Sequence, residues 1–475
     1  MKNSFVRDIS INSFQLIINQ FCGLIIFYVL SVHLSKENFG ALNWALAVLL
    51  TIFSILSFGI DQVAIKKIAS GKDAPQILSV YVLHVLVAGG LFYGVLLLGY
   101  FFLHTHLHQY YLLLFLGLGK LMVFFSTPFK QLANGLEKFK ALLYMSICSN
   151  IIRSIALLLF AIIYPVDLTL IVIIFIAGDI TELFLCVLIN KYMIRTPVTL
   201  QWDKKAYFGL IKESIHLGGV AVFTSTIARF DWIVLGLLTS NIILAEYSFA
   251  YKAFEMATIP LLAIAPILIP RFTKIFDPEF KNDPAKENDL SILIRVEIII
   301  ACLIALIINI TWVPIIDLIT HGKYGAVDRY TILILSCCMP LLYFNNFLWT
   351  MLFAKGYFKQ IFKIIAITFI INIVGDIVLI IYFKAAGAAF AYLLALFSQF
   401  ILYWRKSSSS ITGKLWQDLF IIPAIAIISV LLPIFAFHNT ILILTISLLL
   451  FTSILLISKQ IPKSHWQVFK RIARL

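Results

Sequence analysis

The sequence predicts an all-α polytopic membrane protein of about fourteen transmembrane helices. They are arranged as two pseudo-symmetric six-helix bundles followed by two further helices. Three observations predict this. The 475 residues are 61% hydrophobic and only 13% charged, with a mean hydropathy of +1.00, whereas soluble globular chains run near half apolar and a quarter charged. The apolar residues fall in runs of the length a helix needs to cross the hydrocarbon core, roughly 20 residues, and show none of the alternation of a transmembrane barrel. The basic residues concentrate on alternate loops.

The fourteen runs cover about 9–33, 40–62, 77–103, 108–127, 142–164, 168–190, 214–238, 246–269, 292–319, 330–353, 362–383, 386–404, 416–437 and 440–458. The first follows Lys2 and Arg7 as a signal peptide would. It has no convincing small-residue cleavage site and more spans follow it, so it reads as a retained helix. The net charge of +14 would suggest nucleic acid in a soluble protein. Here 28 of the 37 Lys and Arg fall on the side shared with both termini and 4 on the other, the remaining 5 lying in spans. Cytoplasmic loops carry such an excess, so both termini are expected in the cytoplasm and no nucleic-acid partner is implied.

The inner loops 191–213 and 271–291 are the longest; the mixed-charge run FDPEFKNDPAKEND in the second reads as a solvated surface. Ser407–Ser410 reads as a flexible connection. His104, His106 and His108 alternate in a short outer loop and read as a solvated turn rather than a metal site. The six cysteines lie in apolar runs without zinc-ligand spacing and read as buried free thiols. No phosphate-cradling or HExxH motif appears, so neither an enzyme nor a metal site is expected. Trp44 and Trp349 fit an interfacial aromatic belt. At the C-terminus, PKSHWQVFKRIARL places Trp466, Phe469 and Ile472 on one face and Lys470, Arg471 and Arg474 elsewhere, as an amphipathic helix lying on the membrane would.

A shift of 205 residues aligns VRDIS at 6–10 with IKESI at 211–215, and FGALNWA at 39–45 with LAEYSFA at 244–250. A shift of 221 aligns ANGLEKFK from Ala133 with AKGYFKQI from Ala354, and Asn150 falls on Asn372 at 222. The consistent order argues for a duplication. The expected domains are 1–200 and 201–410, six spans each, then 411–475 with the extra helices and the basic tail. An even number of spans keeps both copies the same way up.

Charge inside spans is costly, about 2.5–3.5 kcal/mol per residue on insertion scales, and marks function by default. Lys120, Arg153, Arg229 and Lys252 are the candidate substrate-binding cations. Asp231, Asp376, Asp179, Glu182, Glu255 and Asp61 are the candidate ion-coupling acids, with Asp61 near the inner end of the second span. Asp179 and Glu182 share one helical face. Arg153 lies at the depth of both, so it either contacts substrate or staples helices. A polar cavity shared by the two halves accounts for the set together. Its cations suit a phosphate headgroup and its acids suit proton or sodium coupling.

With these residues in hand, the chain resembles the polysaccharide flippase branch of the multidrug/oligosaccharidyl-lipid/polysaccharide exporter superfamily. The resemblance rests on FGIDQVAIKKIA at 58–69, RFDWIVLG at 229–236 with AEYSFAYK at 245–252, and IINIVGDIVLI at 370–380 followed by AAGAAFA at 385–391. It covers about 9–404, and Glu246 departs from the small glycine usual in the family. The resemblance implies a flippase of the bacterial inner membrane. Its substrate would be an undecaprenyl-diphosphate-linked oligosaccharide of O-antigen or a similar surface polysaccharide, moved to the outer leaflet by ion-coupled alternating access. It implies membrane lipids as surroundings, polymerase and chain-length proteins as partners, and no cofactor beyond a coupling proton or sodium ion. The alternatives are a lipid-linked peptidoglycan-precursor flippase, also with a cationic cavity, and a cation-coupled drug exporter, in which acids should outnumber Lys and Arg.

Overall fold

The computed structural model describes residues 2–103, 109–164, 166–199, 202–261, 272, 284–407, 412–458 and 460. The histidine cluster at 104–108, most of the loop 271–291, the serine run beyond Ser407 and the tail 462–475 lie outside the described residues. The architecture is all-helical, as the composition predicts. The chain divides into two compact units, Met1–Ala245 and Glu246–Leu475.

The first unit contains α1 (Lys2–His33), α2 (Lys36–Ser57), α3 (Ile60–Ala69), α4 (Ala74–Leu103), α5 (Tyr110–Gly135), α6 (Phe139–Ile163), α7 (Leu168–Ile189), a π-turn (Asn190–Ile194) and α8 (Lys204–Leu238). α9 (Asn241–Ala257) carries the chain from the first unit into the second. Some helix starts carry side-chain caps: Ser35 of α2 accepts from the Asn38 amide at 3.2 Å, and Asp167 of α7 from Leu170 at 2.9 Å, each satisfying an amide that a helix start leaves unpaired. α2 ends where Phe58 and Gly59 both take positive φ, 50° and 71°, a left-handed pair that an α-helix does not accommodate. Asp61 therefore stands in the first turn of the separate helix α3, not at the end of the second span. α5 packs on α4 and α7, α6 on α1 and α7, and α8 on α2 and α3. At the α2–α8 contact Trp44 is 5% exposed and donates its indole N–H to the Ile233 carbonyl at 3.3 Å. Its ring lies over Gly236, where a β-carbon would collide with it. Trp44 is thus a packing residue and not part of an interfacial belt. A buried tryptophan needs a partner for its N–H, and α8 supplies one.

The second unit contains α10 (Pro284–Thr320), α11 (Arg329–Ala354), α12 (Phe358–Ser407), α13 (Thr412–Ala436) and α14 (Thr440–Ile457). α12 breaks at Lys384 (φ 52°, ψ −127°). A β-carbon on Gly387 would meet the Leu379 carbonyl carbon at 2.6 Å, so the two halves of α12 approach each other at their backbones. α10 packs on α11, α13 and α14, and Arg295 on α10 pairs with Asp418 on α13 at 3.0 Å. Four cysteines are buried, whereas Cys148 is half-buried and Cys337 exposed.

Eleven described helices are long and apolar enough to cross a membrane, fewer than the fourteen expected. α12 counts once although its two arms match the spans 362–383 and 386–404. α8 carries Arg229 and Asp231 in its second half, and α9 has only 17 residues.

Candidate functional site

Five ionisable side chains meet inside the first unit, among α5, α6 and α7. Asp179 and Glu182 come from one face of α7, Arg153 from α6, and Lys120 and Lys130 from α5. Lys120 Nζ donates to both Asp179 oxygens, at 3.1 and 3.2 Å. Arg153 Nη2 bonds Asp179 Oδ1 and reaches Glu182 Oε2 at 3.5 Å. Lys130 Nζ bonds Glu182 Oε1, and Ser149 donates to Glu182 Oε2 at 2.6 Å. The Arg153 Nη1 donates to Asn150 Oδ1 at 3.2 Å, and Asn150 Nδ2 to Asn19 Oδ1 at 3.0 Å, which ties the network to α1.

All five groups are enclosed: Asp179 is 1% exposed at its side chain, Arg153 8% and Lys130 19%. Taking such charges out of water costs several kcal/mol each, and mutual pairing with further hydrogen bonds offsets it. Three cations face two acids, so the cluster carries one excess positive charge. Two glycines make room for it. A β-carbon on Gly119 would meet Asp179 Oδ2 at 2.6 Å, and one on Gly178 would meet Arg153 Cδ at 2.9 Å. The adjacent pairs Gly119–Lys120 and Gly178–Asp179 are a sequence signal for this approach. Lys130 escapes a reading of the sequence because it sits beyond Pro128, where a loop is expected, whereas α5 continues through Pro128 to Gly135.

The other candidates lie on α3, α8, α9 and α12. On α8 the Arg229 guanidinium lies 4.6 Å from the Trp232 ring centroid, a cation–π contact. Arg229 itself is half-buried. Asp231 is 2% exposed and accepts from the Trp232 amide at 2.8 Å. Lys252 and Glu255 pair with each other at 2.7 Å, one turn apart on α9. Asp61 accepts from Ser57 at 2.5 Å and from the Tyr81 hydroxyl. Asp376 is fully buried on α12, one turn beyond Asn372, which is 1% exposed and whose side-chain amide has no hydrogen-bond partner among the described residues.

A further enclosed acid lies outside the set that the sequence singles out. Glu297 on α10 is 1% exposed, and neither carboxyl oxygen has a hydrogen-bond partner among the described residues. The Tyr343 hydroxyl on α11 lies within electrostatic reach of it. Its signal is a carboxyl near the start of the span 292–319, well inside an apolar run and two residues from Arg295.

The fold is shared with solved transporters. An inward closed structure of the lipid II flippase MurJ has 15% identity and a TM-score of 0.74, over 98% of this chain and 99% of that one. An inward-facing multidrug resistance MATE family transporter of the MOP superfamily has 13% identity and a TM-score of 0.64, over 84% of this chain and 98% of that one. A MOP superfamily transporter from Pyrococcus furiosus, described as having a binding pocket of reverse polarity, has 10% identity and a TM-score of 0.56, over 84% and 93%. No curated protein matches the chain in sequence. The family model described as "Polysaccharide biosynthesis protein" matches residues 5–276, more than half of the chain. The chain belongs to the polysaccharide biosynthesis protein family.

Proposed function

We propose that this chain is a flippase that carries a lipid-linked oligosaccharide, bound through a diphosphate, from the inner to the outer leaflet of the bacterial cytoplasmic membrane. The observation that carries this reading is the set of cations and acids held on apolar helices of a polysaccharide biosynthesis family member. A lipid tail stays in hydrocarbon while its charged headgroup needs polar partners along the way, and intramembrane Arg and Lys offset the headgroup's desolvation.

The cations take different parts. Arg153 and Lys120 are held by Asp179; their role is to staple α5, α6 and α7 and to contribute a net positive field. Lys252 is shared with Glu255. Arg229, half-buried on α8, is the cation we assign to the headgroup. Its planar fork suits a phosphate better than a lysine point charge does. Asp231, Asp376 and Glu297 are the acids we assign to proton or sodium coupling. Carboxyls this enclosed change protonation or bind a cation only when the surrounding helices rearrange, which links ion binding to conformation.

The test is surface polysaccharide in cells carrying Arg229→Ala as the sole copy. The reading expects normal protein levels with most of the surface polysaccharide lost. Full surface polysaccharide would contradict the role given to Arg229. A second reading, transport of a lipid-linked peptidoglycan precursor, is favoured by the extent of the likeness to the lipid II flippase. It predicts growth arrest rather than loss of surface polysaccharide on depletion.

A further inference from the structure

Where α7 ends, the chain makes a turn that the transport reading does not use. The π-turn Asn190–Ile194 stops at Arg195, whose φ of 64° reverses the backbone. The Arg195 amide returns to the Asn190 carbonyl at 2.6 Å, and the Asn190 side-chain amide donates to the Thr196 carbonyl at 3.0 Å. The segment that follows is tied to α4, where the Thr199 amide donates to Ser79 Oγ at 3.1 Å. Lys138 donates to the Ile194 carbonyl at 3.0 Å from the start of α6. The turn is thus fixed at both ends and forms the floor of a cavity of about 740 Å³ between α4, α5 and α7.

The walls of that cavity are apolar: Val82 and Leu86 from α4, Phe129 from α5 and Val187 from α7. Leu86 and Val187 are also exposed on the outer surface, 39% and 44%, so the cavity is open toward lipid. The floor is cationic. Lys191 and Arg195 both line it and both are exposed. Lys191 Nζ stands 5.4 Å from the Tyr192 ring centroid, and Arg195 spends one N–H on the Tyr192 carbonyl at 3.3 Å. Arg195 keeps further donors for a ligand. An apolar slot above two cations, at the end of a spanning helix, has the polarity of one phospholipid: acyl chain above, phosphate below.

We propose that this cavity binds one anionic glycerophospholipid of the leaflet on the basic side of the chain, with its phosphate against Lys191 and Arg195 and its acyl chain along Leu86, Phe129 and Val187. The charge pattern selects the occupant. Two cations favour a net-negative headgroup, such as phosphatidylglycerol, over a zwitterionic one by about 1 kcal/mol each, on the order of 25-fold together.

The experiment uses the purified full chain in detergent, with phosphatidylglycerol and phosphatidylcholine offered in equal amounts and bound lipid read by native mass spectrometry. Phosphatidylglycerol should be retained on the order of 25-fold more strongly. The double variant Lys191→Gln, Arg195→Asn should bring the ratio near one with an unchanged melting temperature; Asn tolerates the left-handed backbone at 195. Lys191→Gln alone lies on the surface and outside the bonds that hold the turn, and should lower the ratio about fivefold. It decides the matter if the double variant misfolds. Equal retention of the two lipids by the wild type, or an undiminished ratio in Lys191→Gln, overturns the proposal. Displacement of the lipid by glycerol 3-phosphate at comparable concentration overturns the lipid assignment in favour of a bare phosphate site.

Discussion

Arg153 on α6 and Asp179 on α7 form an ion pair in the interior of the first unit, and Asp179 also accepts from Lys120 on α5 at 3.1 Å. One carboxylate thereby joins three helices. The sequence allows Arg153 either a substrate role or a stapling role, and this geometry favours the staple.

A staple leaves a measurable trace. Arg153→Ala leaves Asp179 to Lys120 and Glu182 to Lys130 but removes the guanidinium that joins both acids to α6, and should cost about 1.5–3 kcal/mol, as the loss of a buried charged hydrogen bond does. The amount of membrane-inserted protein should fall. Adding Asp179→Asn should restore part of it, a positive coupling in the double-mutant cycle. A substrate role predicts normal protein levels and no rescue.

The glycines beside the network set its tolerance. Gly178→Ala places a methyl against the Arg153 side chain, which its ion pairs hold in place. Overpacking of this kind costs about 1–3 kcal/mol. The thermal unfolding of the purified chain in detergent should shift down accordingly. A Gly209→Ala control, where an added β-carbon meets nothing within 4 Å, should not shift it.

The start of α8 should respond to acid. Asp203 accepts from the Ala206 amide at 3.0 Å and from Gln76 at 2.6 Å. The Ala206 amide bond holds its carboxyl below the usual carboxylate range. A group whose folded value is depressed contributes stability above its unfolded value, about 3.9, and loses it as the pH falls through the folded one. Amide exchange at 206–208, taken relative to its intrinsic rate, should be slowed at neutral pH and less so below about pH 4. Asp203→Ala should raise it at neutral pH.

The clustering of Lys and Arg on alternate loops predicts that both termini face the cytoplasm. Reporter fusions after residues 70, 200, 280 and 410 should report cytoplasm, and fusions near 106 and 324 the outside. An external signal at 200 or 280 would overturn the even number of spans in each copy.

Much of this was legible from composition. The all-helical membrane class and the membership of Arg153, Asp179, Glu182 and Lys120 in one charged set followed from charge standing in apolar runs. The pairing did not, because depth along a helix says which groups are level but not which faces meet. Lys130 was hidden by Pro128, which α5 tolerates, and Trp44 by a belt rule that ignores burial against α8. Glu297 was in plain view as an acid inside an apolar span. The break at Asp61 depended on two consecutive left-handed residues, Phe58 and Gly59; only the second is of a type that announces such a conformation.

As a flippase, this chain would move a lipid-linked oligosaccharide between leaflets. The most direct measurement is the leaflet distribution of that lipid in cells lacking the chain and in cells with it restored, read by accessibility to an impermeant glycan-modifying enzyme in oriented membrane vesicles. The account predicts that without the chain the lipid-linked oligosaccharide accumulates facing the cytoplasm, and that restoring the wild type, but not Arg229→Ala, returns it to the outer face. An unchanged distribution in cells lacking the chain, with surface polysaccharide intact, would contradict it.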